Sequence, residues 1–152
     1  MAAPRWLRHL FTPWWLTMRR FDRAACLAIE RAVGEVEGRH DGEIRVAIET
    51  ALDLPDLYFG VTAQRRSLAV FGLLGVWDTA ANNGVLIYVL MADRKVESVA
   101  DRGIAARVPK AEWEAICRGV EGAFRAGRYG AGVAEGVRAV GHAFKGSCAP
   151  FG

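Results

Sequence analysis

Asp41 with Glu43, Asp78, Asn82 with Asn83, and Asp101 with Arg102 are the residues whose types and spacing could do chemistry in this chain. Carboxylates and side-chain amides are hard oxygen donors, the ligand set that Ca2+ and Mg2+ take. The expected metal ligands are Asp41, Glu43, Asn82, Asn83 and Asp101, and the expected catalytic groups are Asp101, Asp78 and Arg102. A cation held there would bind a phosphate and polarise it for attack by water. The same residues also have an ordinary reading. Asn and Asp bond locally to the backbone and Gly supplies positive φ, so Asx-Gly turns and charged strand ends arise without any chemistry.

Whether these groups meet depends on the elements that carry them. Residues 43–50 alternate charged with β-branched apolar side chains, the pattern of a half-exposed strand. Residues 84–91 are apolar on both faces, as in a central strand covered on each side. Asp93-Arg94 reads as a hairpin tip, and residues 95–101 return as an antiparallel, more polar neighbour. Helices are expected over 22–38, with Asp22 as N-cap and Cys26, Ile29, Val33 and Val36 on one face, and over 56–73, capped by Asp56 and burying Leu57, Val61, Leu68 and Phe71. Two more are expected over 110–124 and 130–144, the second with four glycines that imply close packing or fraying. A strand–helix–strand unit makes a right-handed parallel crossover. The starts of the first two strands and the end of the third then share one edge of a small mixed sheet. That edge collects Asp41, Glu43, Asn82, Asn83, Asp101 and Arg102, with Asp78 in the preceding loop.

A chain of 152 residues, 52% hydrophobic and 24% charged, suits a single globular domain. Its cysteines, Cys26, Cys117 and Cys148, lack disulfide or zinc spacing, and Cys26 and Cys117 read as buried thiols in a reducing compartment. The net charge of +3 is unevenly placed. Residues 1–23 carry five Arg against Asp22 alone, whereas the rest of the chain sums to −1, which argues against a nucleic-acid surface. The basic arm, residues 1–21, also holds Trp6, Trp14 and Trp15. Leu7, Leu10, Phe11 and Trp14 fall at helical spacing, with Arg5, Arg8 and Thr12 elsewhere on the wheel, and Pro13 divides the run in two. The arm is too charged for a signal peptide and too short to span a bilayer. Either it folds onto the domain or a partner subunit, or it meets a membrane, with Trp and Phe at headgroup level and Arg drawn to anionic lipid.

Four stretches together resemble the TPM domain family: Gly42-Glu43-Ile44-Arg45-Val46, Asn83-Gly84-Val85-Leu86, the strand running into Asp101-Arg102-Gly103, and Phe124-Arg125-Ala126-Gly127-Arg128-Tyr129. The resemblance covers roughly residues 22–145, leaving 146–152 as a tail, and implies a single-domain α/β/α sandwich around a mixed sheet. It also implies activities: some members are acid phosphatases or bind divalent metal near an Asp-Asn-Gly turn, and others are bacterial envelope proteins found near LemA-type membrane proteins. Here Asn82 stands where the family has the turn Asp. A neutral amide is a poorer ligand and no base.

No Gly-x-Ser-x-Gly elbow or phosphate loop appears. The run Gly127–Gly132 lies between helices rather than after a strand, which argues against a dinucleotide site. His9, His40 and His142 lack a Ser or Cys partner and read as surface or packed histidines, and Arg65-Arg66 reads either as a solvated face or as a pair that binds acid groups. The functional expectation is a non-catalytic interaction module meeting a membrane protein or an anionic lipid surface through its arm. The alternative is a metal-dependent phosphatase using Ca2+ or Mg2+ at the acidic edge, and a third reading is a homo-oligomer with a structural arm. The expected location is cytoplasmic, peripheral at the inner membrane.

Overall fold

A strand that is apolar at every position must be covered on both sides. The computed structural model, which describes residues 3–79 and 81–147, is built around one. Three strands, β1 (Glu43–Glu49), β2 (Gly84–Leu90) and β3 (Lys95–Ala100), form a sheet in the order β1-β2-β3. β1 is parallel to β2, with Glu43 opposite Gly84, and β3 is antiparallel, with Leu90 opposite Lys95. The helices are α1 (Arg5–Phe11), α2 (Trp14–Arg20), α3 (Arg23–Arg39), α4 (Leu54–Tyr58), α5 (Ala63–Leu73), α6 (Arg102–Ala105), α7 (Lys110–Arg125) and α8 (Tyr129–Ser147).

The twofold alternation of a strand sorts β2 into two cores. Val85, Ile87 and Val89 pack with residues of α3, α7 and α8, among them Ile29, Trp113, Val120, Val133 and Val137. Leu86, Tyr88 and Leu90 pack with Leu52, Ala63, Val70 and Val76 on the α4–α5 side. The expected α/β/α sandwich is what forms. Truncating a β2 residue such as Ile87 to Ala would cost about 2–5 kcal/mol, because neither layer can collapse into the gap. On α8, a Cβ at Gly132, Gly136 or Gly141 would come within 2.6–2.8 Å of Ala123, Val120 and Val36 respectively. The glycine stripe therefore serves close packing of α8 against α7 and α3.

Several local expectations are corrected. The helix read over 56–73 is two helices. Asp53, not Asp56, caps α4 by accepting from the Asp56 backbone N–H at 3.0 Å, and Pro55 suits that first turn. Gly60, at φ +68°, ends the turn that follows, and Thr62 caps α5 through the Arg65 N–H at 3.1 Å. The restart sets the helical phase: Ala63, Ser67 and Val70 are buried and Leu68 is exposed. Cys117 is buried as expected, but Cys26 is exposed. α8 runs to Ser147, which takes in the first two residues of the expected tail, and residues 148–152, Cys148 included, lie outside the described residues.

Candidate functional site

The crossover brings the predicted edge together, chiefly through the backbone. The Asn83 side-chain N–H donates to the Asp41 carbonyl at 2.6 Å, and the Asn83 backbone N–H to Thr79 Oγ1 at 3.1 Å. Asn82 takes a left-handed φ of 52°, and its carbonyl accepts from the Gly103 N–H at 2.8 Å. The Asp101 N–H continues the β3 ladder to the Gly84 carbonyl at 2.9 Å. A Cβ at Gly103 would collide with the Ala81 and Asn82 carbonyls, which explains a glycine after Asp101-Arg102. Asp101 Oδ1 accepts from the Arg102 backbone N–H at 2.7 Å, whereas Oδ2 is buried without a hydrogen-bond partner. Asp41, Glu43, Asp78, Asn82 and Arg102 are exposed, and Asp78 lies in the loop after α5, where its N–H donates to the Gly75 carbonyl at 3.0 Å. Among the described residues no three of the His, Cys, Asp and Glu side chains gather at metal-ligand spacing. The edge thus offers one buried carboxylate oxygen on Asp101, with the exposed acids not gathered around it.

The opposite end of the sheet holds an arrangement that sequence reasoning missed. α1 docks through its polar face. Asp93, whose side chain is only 9% exposed, accepts from Arg5 Nε at 3.1 Å and from its Nη2 at 2.9 Å, and Arg8 lies 3.7 Å away. His9 is buried between Asp93 Oδ1, at 2.7 Å from Nε2, and the Leu52 backbone N–H, which donates to Nδ1 at 3.0 Å. Because Nδ1 accepts, the ring is the neutral tautomer with its proton on Nε2, pointing at the carboxylate. α2 is tied on by the Thr50 hydroxyl, which donates to that of Thr17 at 2.8 Å, and by Phe21, buried edge-on against Phe124 and Tyr129. Asp93 is therefore no mere hairpin tip. The hairpin is also wider than the two residues expected: Met91 and Ala92 continue bonding to Glu49 and Thr50, and the Arg94 N–H closes a turn onto the Met91 carbonyl.

Docking by the polar face leaves the apolar face outward. Trp6, Leu10, Phe11, Trp14, Trp15 and Met18 are between 53% and 72% exposed, beside exposed Arg8, Arg19 and Arg20. Arg5, Arg8 and His9 fall at i, i+3 and i+4, one face of a helix. That spacing was the available signal, but it names no partner, because Asp93 is 84 residues from His9.

The anchor is electrostatically strong. Burial pushes the Asp93 carboxyl up, and hydrogen bonds from Arg5 and His9 more than reverse this, holding it below the usual aspartate range. A parallel arrangement lies on the α5 side of the sheet. Glu49 accepts from Arg66 Nε at 2.7 Å and from the Tyr88 hydroxyl at 2.7 Å. Burial raises its carboxyl and these bonds bring it below the ordinary value, while burial and Glu49 push the Tyr88 phenol up. Of the two readings of Arg66, a solvated face or a partner for acid groups, the second is the one that forms.

The domain is an α/β/α sandwich whose three-stranded mixed sheet carries, at one edge, an Asn-Asn-Gly turn and a strand running into Asp-Arg-Gly. The TPM domain matches residues 20–143, and the chain belongs to that family. Similar solved structures include the BA42 protein of the psychrophilic bacterium Bizionia argentinensis, 27% identical with a TM-score of 0.72 over 83% of this chain and 82% of that one. The N-terminal domain of a protein from P. gingivalis is 22% identical, with a TM-score of 0.68 over 83% and 77% of the two chains. The N-terminal domain of the cg2496 protein of Corynebacterium glutamicum shares the fold at 13% identity and a TM-score of 0.60, over 86% and 78%. Among curated proteins none matches the chain.

Proposed function

We propose that this TPM-domain protein is an interaction module that lies on an anionic membrane surface through its N-terminal arm. One observation carries the reading: α1 is pinned to the domain by Arg5, His9 and Asp93, and the arm turns its Trp, Phe, Leu and Met side chains away from the domain. Aromatic residues of this kind settle at the headgroup level, and their burial there drives interfacial binding. Arg8, Arg19 and Arg20 add about 1 kcal/mol each beside an anionic leaflet. No helix of the described residues is long and apolar enough to cross a membrane, and the reading is of a helix pair lying in the interface. The test is tryptophan emission during titration with phosphatidylglycerol vesicles. A blue shift that saturates and weakens with added salt is expected. Unchanged emission would turn attention to a membrane protein as the arm's partner.

A second reading rests on Asp101 Oδ2, a buried carboxylate oxygen without a partner at the edge where the TPM resemblance implies metal and phosphatase chemistry. Ca2+ or Mg2+ would have to draw Asp41, Glu43, Asn82, Asn83 and Asp101 together, since the three acids do not gather at metal-ligand spacing here, and would then supply charge neutralisation to a phosphate. Arg102 would orient the anion, and Asp78 or Asp101 would handle the proton. Hydrolysis of an aryl phosphate with Ca2+, Mg2+ or a chelator tests it. Metal-dependent turnover lost in Asp101→Asn is expected, and equal turnover in that variant would remove the site.

A further inference from the structure

Beside the arm lies a cavity of about 520 Å3 at the C-terminal end of β2, and its charge has no use in the contacts described so far. Three arginines from three separate elements line it: Arg20, the last residue of α2; Arg94, in the hairpin next to the anchor Asp93; and Arg125, the last residue of α7. Arg94 holds its place with a left-handed φ of 52°, a conformation that is uncommon for a side-chain-bearing residue. The Arg20 guanidinium lies 4.8 Å from the centre of the Tyr129 ring, which forms part of the wall. Among the described residues none of the three side chains has a carboxylate within ion-pair distance. The one acid in the wall, Glu121, is buried, with Oε2 3.3 Å from Arg118 and without a hydrogen bond. The three arginines are exposed, and a cavity lined by one sign of charge raises the local concentration of the opposite ion. Guanidinium forks match phosphate oxygens in pairs, and Phe124 and Met91 supply an apolar wall for the rest of such a ligand.

We infer that the cavity between Arg20, Arg94 and Arg125 binds the phosphate of an anionic phospholipid headgroup. The inference rests on the membrane reading above and adds a site to it. The exposed aromatics supply membrane depth, and α2, which carries Trp14, Trp15 and Met18, ends at the cavity with Arg20. The cavity therefore lies within one length of α2 from the exposed Trp14, Trp15 and Met18.

The experiment compares the full chain with Arg94→Ala/Arg125→Ala and with a charge-matched control, Arg23→Ala/Arg31→Ala, on exposed positions of α3. Binding is measured to phosphatidylglycerol vesicles, to phosphatidylcholine vesicles, and to soluble glycerol 3-phosphate and inorganic phosphate. Thermal unfolding checks that each variant is folded. The cavity variant should lose at least tenfold in affinity for phosphatidylglycerol vesicles and all binding of glycerol 3-phosphate, while the control loses less than threefold. Equal losses in both variants would reduce the effect to general charge and overturn the site, as would wild-type affinity in the cavity variant. Phosphate binding that depends on Arg94 and Arg125 without vesicle binding would keep the phosphate site and overturn the lipid as its source. Vesicle binding lost only on changing the arm aromatics would leave the membrane reading standing and overturn the cavity.

Discussion

Replacing Asp93 by Ala should release α1 from the domain while leaving the domain folded. The side chain removed is nearly buried and accepts from the Nε2–H of His9 at 2.7 Å and from Arg5 at 2.9–3.2 Å. His9 is neutral, so its loss is that of an orphaned buried donor, about 1–3 kcal/mol. Arg5 is part-exposed and regains water, so losing its charged bonds adds about 1 kcal/mol. Arg8, at 3.7 Å and largely exposed, adds little. The total is about 3 kcal/mol, or two decades in the opening equilibrium. It acts on a local unit, because the two cores flanking β2 do not include α1. Hydrogen exchange reads this directly: protection of the α1 amides should fall about a hundredfold, with the β2 amides unchanged. Undiminished α1 protection in the folded variant would refute the polar-face docking, and with it the outward orientation of the aromatics.

Three further outcomes follow from the same contacts. Glu49→Gln should destabilise the protein by about 1–3 kcal/mol at neutral pH, since Arg66 and Tyr88 bond its charged form. Glu49 has a lowered folded value, so its contribution is complete above the ordinary glutamate range and fades as pH falls through the folded value. Denaturant midpoints of wild type and variant should therefore converge as pH falls below the ordinary glutamate range and through the lowered folded value, and a constant gap would contradict the assignment. Gly136→Ala should cost about 1–3 kcal/mol despite the better helix propensity of Ala, because its Cβ would meet Val120; an unchanged or raised Tm would show that α8 can shift. In alkylation followed by peptide mapping, exposed Cys26 should react well ahead of Cys117, whose thiol burial holds above its usual range, and the reverse order would contradict the placement of α3.

The parts of the fold that obey a local period were legible. β2 is apolar at every position, β1 alternates, and the handedness of the crossover alone predicts that Asp41, Asn83 and Asp101 share an edge, which they do. Element ends were less legible where capping residues compete. Asp53 and Asp56 are both good N-caps, and only Pro55 favours the first. The arm was least legible. A helical wheel places the apolar face inward by default, and nothing within α1 or α2 indicates that a hairpin acid far along the chain will hold the polar face instead. Arg66 could not be assigned a partner for the same reason, since Glu49 lies on a neighbouring strand. Pairings between distant elements leave no periodic trace.

The most direct test of the membrane reading is flotation with phosphatidylglycerol vesicles, comparing the wild-type chain with Phe11→Ala/Trp14→Ala/Trp15→Ala. These side chains are exposed, so the triple variant should unfold at the wild-type temperature. The account predicts that the wild type floats with the vesicles and the variant stays at the bottom of the gradient. A variant that floats as well as the wild type, or a wild type that does not float, would contradict it.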